Sequence, residues 1–266
     1  MEISSPQVMG IINVTPDSFY SQSRSIDSKS IKFQIDKMLD EGVDIIDLGA
    51  YSSRPGANDV SSQEEMMRLE TAMNVIKPKV GDIPISIDTF RADVAEYAIE
   101  TLGAHIINDI SGGLLDKQMI STVARLKVPY IAMHMRGNPI TMNDFTRYKD
   151  VSSEVIYELS EQINKLALAG VNDIIIDPGF GFSKTVEQNY ELLRNLEAFH
   201  NLGYPILVGI SRKSMIYKPL NTSANEALNG TTVLNTLALQ SGAAILRVHD
   251  VKAAREAIKL TQLTYS

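Results

Sequence analysis

The chain has 266 residues, 44% hydrophobic and 21% charged, with a net charge of -7 and no cysteine. That length suits one large domain with a buried core, or two small ones. The missing cysteines exclude disulfides and thiolate metal sites, the lack of any Lys/Arg run argues against a nucleic-acid partner, and no apolar run reaches the roughly 18 residues of a membrane helix.

The opening MEISSPQVMG has neither the basic start nor the apolar centre of a signal peptide. With no cysteine to protect, a cytoplasmic protein is expected. An anionic small molecule stays open as a substrate wherever cations gather locally.

One pattern then recurs along the chain: a short Ile/Val-rich run, a polar loop and a helical stretch. The runs are VMGIINVT (8–15), DIIDLGA (44–50), PISIDTF (84–90), HIINDIS (105–111), PYIAMHM (129–135), DIIIDPG (173–179), PILVGIS (205–211) and AILRVHD (244–250). Such runs between helices read as strands of a parallel sheet. Residues 30–41 and 152–169 are amphipathic: Ile31, Ile35, Met38 and Leu39 share one helical face, as do Ile156, Leu159, Ile163 and Leu166. Gly42, Gly103, Gly170, Gly203 and Gly242 follow helical stretches, where a C-terminal cap is wanted.

Eight such units predict an α/β fold, a single (β/α)8 TIM barrel over residues 1–266, rather than a doubly wound open sheet. No composition shift marks a second domain, and no G-x-G-x-x-G follows the first strand. The long loops at 16–29, 51–61 and 135–151 all follow strands. They fall on the barrel face that carries chemistry.

The strand ends are polar. In chain order they carry Asn13 and Thr15, then Ser53 and Arg54 in the loop after the second strand, Asp88, Asn108 and Asp109, His134, Asp177, Ser211 with Arg212 and Lys213, and Arg247, His249 and Asp250. Residues two apart share a strand face. Ile245, Arg247 and His249 therefore face the interior, and Leu246 and Val248 the helices. A barrel mouth with a ligand accommodates polar groups that a closed core cannot.

Each residue also has a plainer reading. Asn108, Asp109 and Asp250 are open to roles as caps or turn residues. His134 is open to a role as a satisfied buried histidine, Phe19 and Phe182 as loop packing, Gly179 and Gly181 as turn formers. Polar groups at every strand end are harder to explain by folding alone, because unpaired buried charge is costly. They also sort by type. Arg54, Lys213, Arg247 and His249 suit phosphate or carboxylate oxygens. Asp88, Asn108 and Asp177 suit a ring edge bearing N–H donors. Lys213 as a Schiff-base lysine is disfavoured by its polar SRKS setting. No P-loop, H-E-x-x-H or G-x-S-x-G is present.

These motifs carry a family resemblance. MGIINVTPDSF (9–19), SSRPGA (52–57), ISIDTFR (85–91), IINDISGG (106–113), MHMRGNPITM (133–142), IDPGFGF (176–182), GISRKS (209–214) and LRVHDV (246–251) resemble, in order and spacing, those of the dihydropteroate synthase family over essentially the whole chain. The resemblance implies a (β/α)8 barrel that condenses 6-hydroxymethyl-7,8-dihydropterin diphosphate with p-aminobenzoate, forming 7,8-dihydropteroate and diphosphate in folate synthesis. Sulfonamides compete with p-aminobenzoate in that family.

Carried over by motif, the pterin pocket would use Asp88, Asn108, Asp177 and Lys213, with Met133 and Gly209 in its wall. The diphosphate would meet Asn13, Arg247 and His249, helped by Arg54, and Asn13 would also touch Mg2+. Ser53, Arg54, Pro55, Phe182, Lys213 and Ser214 would shape the p-aminobenzoate site. Asp88, Lys213, Arg247 and His249 would act in catalysis. The family's reaction is SN1-like: diphosphate leaves first, and loops after the first two strands build the second pocket.

A homodimer through the last helices is implied too, with ALNGTTVLNTLALQ (227–240) a candidate interface; core burial explains that segment equally well. Two departures stand out. Ser53 replaces a common Thr, worth about 1 kcal/mol of packing. SFYSQSRS replaces a Ser-Asp-Gly-Gly run in the first loop, and fewer glycines stiffen it. The rivals are a pterin-binding methyltransferase domain, which has no diphosphate to hold, and a non-catalytic pterin-binding scaffold.

Overall fold

A computed structural model describes residues 3–14, 28–51 and 60–265. In chain order the elements are β1 (Gln7–Asn13), α1 (Ser28–Asp40), β2 (Ile45–Gly49), α2 (Ser62–Val80), β3 (Ile85–Asp88), α3 (Ala92–Glu100), β4 (Ile106–Asp109), α4 (Met119–Leu126), β5 (Tyr130–Met133), α5 (Val151–Leu168), β6 (Ile174–Asp177), α6 (Val186–Arg194), β7 (Leu207–Val208), α7 (Ser214–Tyr217), α8 (Leu228–Gln240), β8 (Ile245–Val248) and α9 (Val251–Tyr265). The strands form one parallel sheet in the order β6-β5-β4-β3-β2-β1-β8-β7. A parallel bridge between Ile176 and Ile206 joins its two ends. The expected (β/α)8 barrel is therefore the fold.

All eight expected strands are present; seven are trimmed at both ends, and β1 begins one residue early, at Gln7, and stops two residues short. The shortest is β7, two residues where seven were expected. Pro205 opens that run without an N–H to give the ladder, although its carbonyl accepts from Ile176 N at 3.0 Å.

The strand faces separate two kinds of interior. Leu246 and Val248 join the large cluster between sheet and helices. Met9, Ile45, Ile106, Ile131, Ile175, Leu207 and Ile245 form a separate apolar floor inside the barrel. Above that floor the inward positions turn polar, with Asp47, Asn108 and Arg247.

The helices start where the sequence supplies caps. Ser61 Oγ accepts from Glu64 N before α2, and Asp150 Oδ1 accepts from Ser153 N before α5. Thr185 and Gln188 form a reciprocal capping box on α6. Ile31, Ile35 and Met38 are buried as expected, and Leu39 packs at the edge of that face. On α5 the buried centre is Val155 with Leu159, Ile163 and Leu166; Ile156 is only half-buried, one position round the helix. The five helix-following glycines all take left-handed φ values. Among the described residues, no helix is long and apolar enough to cross a membrane.

Candidate active site

The ladder register places the mouth residues side by side. Asn13 pairs with Gly49, Gly49 with Asp88, Asp88 with Asn108, and Met133 with Asp177. Gly49 leaves space between its neighbours: a Cβ there would lie 3.2 Å from Asn13 Oδ1 and 3.7 Å from Asp88 Oδ2. Gly209 does the same on the opposite wall. A Cβ on Gly209 would lie 3.8 Å from Arg247 Cβ and 3.9 Å from Asp177 Oδ2. The acid of β6 and the arginine of β8 thus face one space across a bare glycine.

Arg247 is the centre of the polar network. Its Nε donates to Asp47 Oδ2 at 2.6 Å and its Nη2 to Asp88 Oδ2 at 2.7 Å. Asn108 Nδ2 also donates to Asp47 Oδ2, at 3.2 Å. Asp177 Oδ1 accepts from Gly179 N at 2.7 Å. Lys213 Nζ donates to Phe180 O and lies 4.7 Å from the centre of the Phe182 ring. Met133 and Phe182 belong to an apolar cluster with Ile110, Met135, Met142, Phe90 and Leu115. This cluster gives the polar mouth one greasy side.

Burial and charge set the protonation of these groups. Burial lifts the Asp88 carboxyl to about 7; Arg247 opposes the rise and Asp47 adds to it. Burial likewise raises Asp177, opposed by Lys213 and by the Gly179 N–H. Burial brings the Lys213 ammonium down to about 8, opposed by Asp177. Arg247 stays fully charged: burial disfavours its charge, but Asp47 and Asp88 outweigh that. The mouth therefore holds acids whose protonated forms burial favours, a lysine whose charge burial weakens, and an arginine that keeps its charge.

Of the expected site residues, the structure brings Asn13, Asp88, Asn108, Met133, Asp177, Phe182, Gly209, Lys213 and Arg247 around this mouth. His249 continues the inner face of β8, is exposed, and lies 3.0 Å through Nδ1 from Ser211 Oγ. Ser214 opens α7 directly after Lys213 and is half-buried. Ser53, Arg54 and Pro55 lie outside the described residues, as do Thr15 and Phe19.

Four strand-end groups, His134, Asp109, Asp250 and Arg212, are turned away from the mouth. His134 follows the inward-facing Met133 and so turns outward to α5, where Nε2 lies 2.9 Å from Glu158 Oε2. Asp109 also turns outward; it accepts from Ser111 N, Gly113 N and Tyr130 Oη and shapes the turn after β4. Asp250 pairs with Arg212 at 2.8 Å. The plainer readings of His134 and Asp109 were correct, whereas Asp250 is an ion-pair partner rather than a cap or turn residue.

Two buried charged positions escaped the sequence reading. Asp47 is fully buried on β2, and among the described residues its Oδ1 has no hydrogen-bond partner. The signal was available: an Asp inside DIIDLGA poses the same question as an Arg inside AILRVHD. Lys184, buried behind the turn after β6, left no such signal, because SK in a loop reads as exposed.

Fold and mouth together define a barrel enzyme for a ligand with hydrogen-bond donors at one end and an anion at the other. The family described as Pterin binding enzyme matches residues 9–249. The dihydropteroate synthase of Clostridium beijerinckii is 44% identical over 259 residues, 96% of this chain and 93% of that protein. The crystal structure of the Yersinia pestis dihydropteroate synthase with a sulfonamide drug complex superposes with a TM-score of 0.92 at 36% identity, covering 100% of this chain and 96% of that one. The Xanthomonas albilineans dihydropteroate synthase with 4-aminobenzoic acid gives 0.91 at 35% identity, covering 99% and 94%. The chain belongs to the pterin binding enzyme family, in its dihydropteroate synthase branch.

Proposed function

We propose that this chain condenses 6-hydroxymethyl-7,8-dihydropterin diphosphate with p-aminobenzoate, giving 7,8-dihydropteroate and diphosphate. The observation that carries the reading is the shared space of Asp177 and Arg247 across Gly209. A carboxylate and an arginine so placed can grip one ligand at its donor edge and steady the charge that leaves it.

In this reading Asp177, Asn108 and Asp88 accept from or align the pterin's N–H edge, with Met133 and Gly209 as wall. Arg247, His249 and Asn13 face the diphosphate, with Arg54 from its loop. As the methylene C–O bond breaks, its electron pair goes to diphosphate, and the cations stabilise that growing charge. The methylene carries positive charge shared with the ring, and Asp88 as carboxylate steadies it. The p-aminobenzoate nitrogen then bonds to the methylene through its lone pair, and the N–H proton it sheds passes to the released diphosphate or to water. Phe182, Lys213 and Ser214, with Ser53, Arg54 and Pro55, form the arylamine side. Closing the site excludes the water that would capture the cation.

Mg2+ is part of the proposal. Asn13 offers a neutral oxygen close to Asp88 across Gly49, and among the described residues no group of three acids or histidines forms a metal cage. That donor set fits a hard cation that keeps its waters and is carried largely by substrate phosphate. Asn13 would hold it; when bound, it supplies further charge neutralisation to the leaving diphosphate.

Cytoplasmic location and a homodimer belong to the proposal as well. The buried side of α8 carries Leu234, Ala238 and Leu239, while Val233 and Leu237 on its other side are exposed, as are Leu260 and Leu263 on the neighbouring α9. This second, unpaired apolar side supports an interface there.

The test is diphosphate release from the pterin diphosphate, with and without p-aminobenzoate, and mass identification of dihydropteroate. Binding without release would make the protein a scaffold and overturn the reading.

A further inference from the structure

The turn that follows β6 is held from behind by a buried cluster whose own side chains are not among the proposed substrate contacts. Lys184 is buried, and its Nζ lies 3.0 Å from Gly179 O, 3.1 Å from Phe182 O and 3.0 Å from His134 Nδ1. An ammonium has three donors, and here each meets one acceptor. No proton of Lys184 is left to serve a ligand. His134, itself buried, reaches Glu158 on α5 through Nε2 at 2.9 Å. Glu158 is fixed in turn by Arg136 Nε, also at 2.9 Å. A continuous chain of polar contacts thus runs from α5 to the two ends of the turn at 179–182.

That turn carries the side of the mouth that strands do not build. Asp88, Asn108 and Asp177 sit on β3, β4 and β6, where ladder bonds fix them. Phe182 sits on the turn itself, and Lys213 is anchored to it through Phe180 O. The turn is also tightly seated. A Cβ on Gly179, whose φ is +73°, would lie 1.9 Å from His134 O. A turn held at both ends, against a wall with no spare room, keeps one conformation.

We propose that Lys184, braced through His134 by Glu158, is a positioning residue for the arylamine half of the site: it sets Phe182 and Lys213 without touching either substrate. The proposal rests on the functional reading above. It predicts an unequal effect: Phe182 sits on the braced turn itself, whereas Asp88 and Asn108 are fixed by the ladder and the brace reaches the pterin side only through the Gly179 N–H on Asp177 and through Lys213.

The test uses Lys184→Met, which keeps length and removes the donors. Thermal unfolding, the Kd for pterin diphosphate without arylamine, and the kcat and KM for p-aminobenzoate are measured on the full chain. The expected result is a folded variant whose KM for p-aminobenzoate rises about tenfold, the scale of one hydrogen bond to a charged group, while the pterin Kd rises by clearly less, about threefold or under. An unchanged KM in the folded variant overturns the proposal, and so does a parallel rise of KM and pterin Kd. Should Lys184→Met not fold, His134→Leu, which removes one acceptor and leaves Lys184 in place, is measured in the same way. A smaller rise in KM alone supports the brace; no rise overturns it. A wild-type protein that releases no diphosphate would instead overturn the functional reading.

Discussion

Arg247 on β8 and Asp47 on β2 form an ion pair inside the barrel, Nε to Oδ2 at 2.6 Å, and Asp88 holds the same guanidinium at 2.7 Å. The arginine expected to face the diphosphate is therefore already oriented by two acids. Asp47→Asn keeps the shape and removes one of those charges. Asp88 remains to pair Arg247, so the stability loss should fall below the roughly 3–5 kcal/mol of a fully broken buried pair. Turnover should drop about 10- to 100-fold, as expected for a misaligned electrostatic stabiliser. Denaturant titration and a diphosphate-release assay check the two parts. Unchanged turnover would show that Asp88 alone orients the arginine.

Asp177→Asn addresses the other wall. Asn can still accept from Gly179 N through its oxygen, a bond of 2.7 Å in the native protein, so the turn should keep its path and the fold its stability. The lost negative charge should weaken pterin diphosphate binding by about 1.5–3 kcal/mol, the value of a hydrogen bond to a charged group. Isothermal titration measures it. An affinity equal to wild type would remove Asp177 from the pocket.

Why some of this was readable from sequence and some was not comes down to strand parity. Ile245, Arg247 and His249 alternate with Leu246 and Val248, and that alternation placed Arg247 inside correctly. The same rule, applied to β5, puts Met133 inside and His134 outside. Position at a strand end alone had drawn His134 and Asp109 towards the mouth. Asp47 was passed over for the converse reason: two residues on, β2 ends at Gly49, which has no side chain, so nothing polar marked the strand end. The brace at Lys184 depends on carbonyls of a loop, and a loop's acceptors have no period to read.

The raised Asp88 carboxyl makes a prediction about pH. Burial lifts it from 3.8 to about 7, with Arg247 opposing. A folded-state value above the unfolded one means that stability is fully present below the unfolded value and is lost as pH rises through the folded one. For Asp88 that window runs from 3.8 to about 7. Asp88→Asn has no proton to lose. Relative to wild type, the ligand-free variant should therefore look more stable above pH 7 than below pH 4. Denaturation midpoints across that range test it, and a constant difference would contradict the shift.

His134 acts in the opposite sense. Burial, with Lys184 beside it, lowers the imidazole from 6.5 to about 4, against the pull of Glu158. A neutral buried histidine stabilises the fold above its unfolded value, and that contribution disappears as pH falls from 6.5 through about 4. The limb should amount to about 3 kcal/mol, at 1.36 kcal/mol for each unit. His134→Asn should lose much of this acid sensitivity and be the weaker protein at neutral pH. Guanidinium titrations at several pH values would show the difference. An identical acid limb in both proteins would place the sensitivity elsewhere.

Gly209→Ala tests the geometry on which the functional reading stands. The residue lies outside the left-handed φ region, and the new methyl would meet Arg247 Cβ at 3.8 Å and Asp177 Oδ2 at 3.9 Å, ordinary contact distances. Folding should tolerate it, with the unfolding midpoint shifted by no more than a small surface substitution would give, about 0.5 kcal/mol. Ligand binding should not tolerate it, because the methyl would occupy the space in which acid and arginine face each other. An overpacked contact of this kind costs about 1–3 kcal/mol, so pterin diphosphate affinity should fall roughly 5- to 150-fold. A stable variant with normal affinity would mean that Asp177 and Arg247, although neighbours in the fold, do not hold one molecule between them.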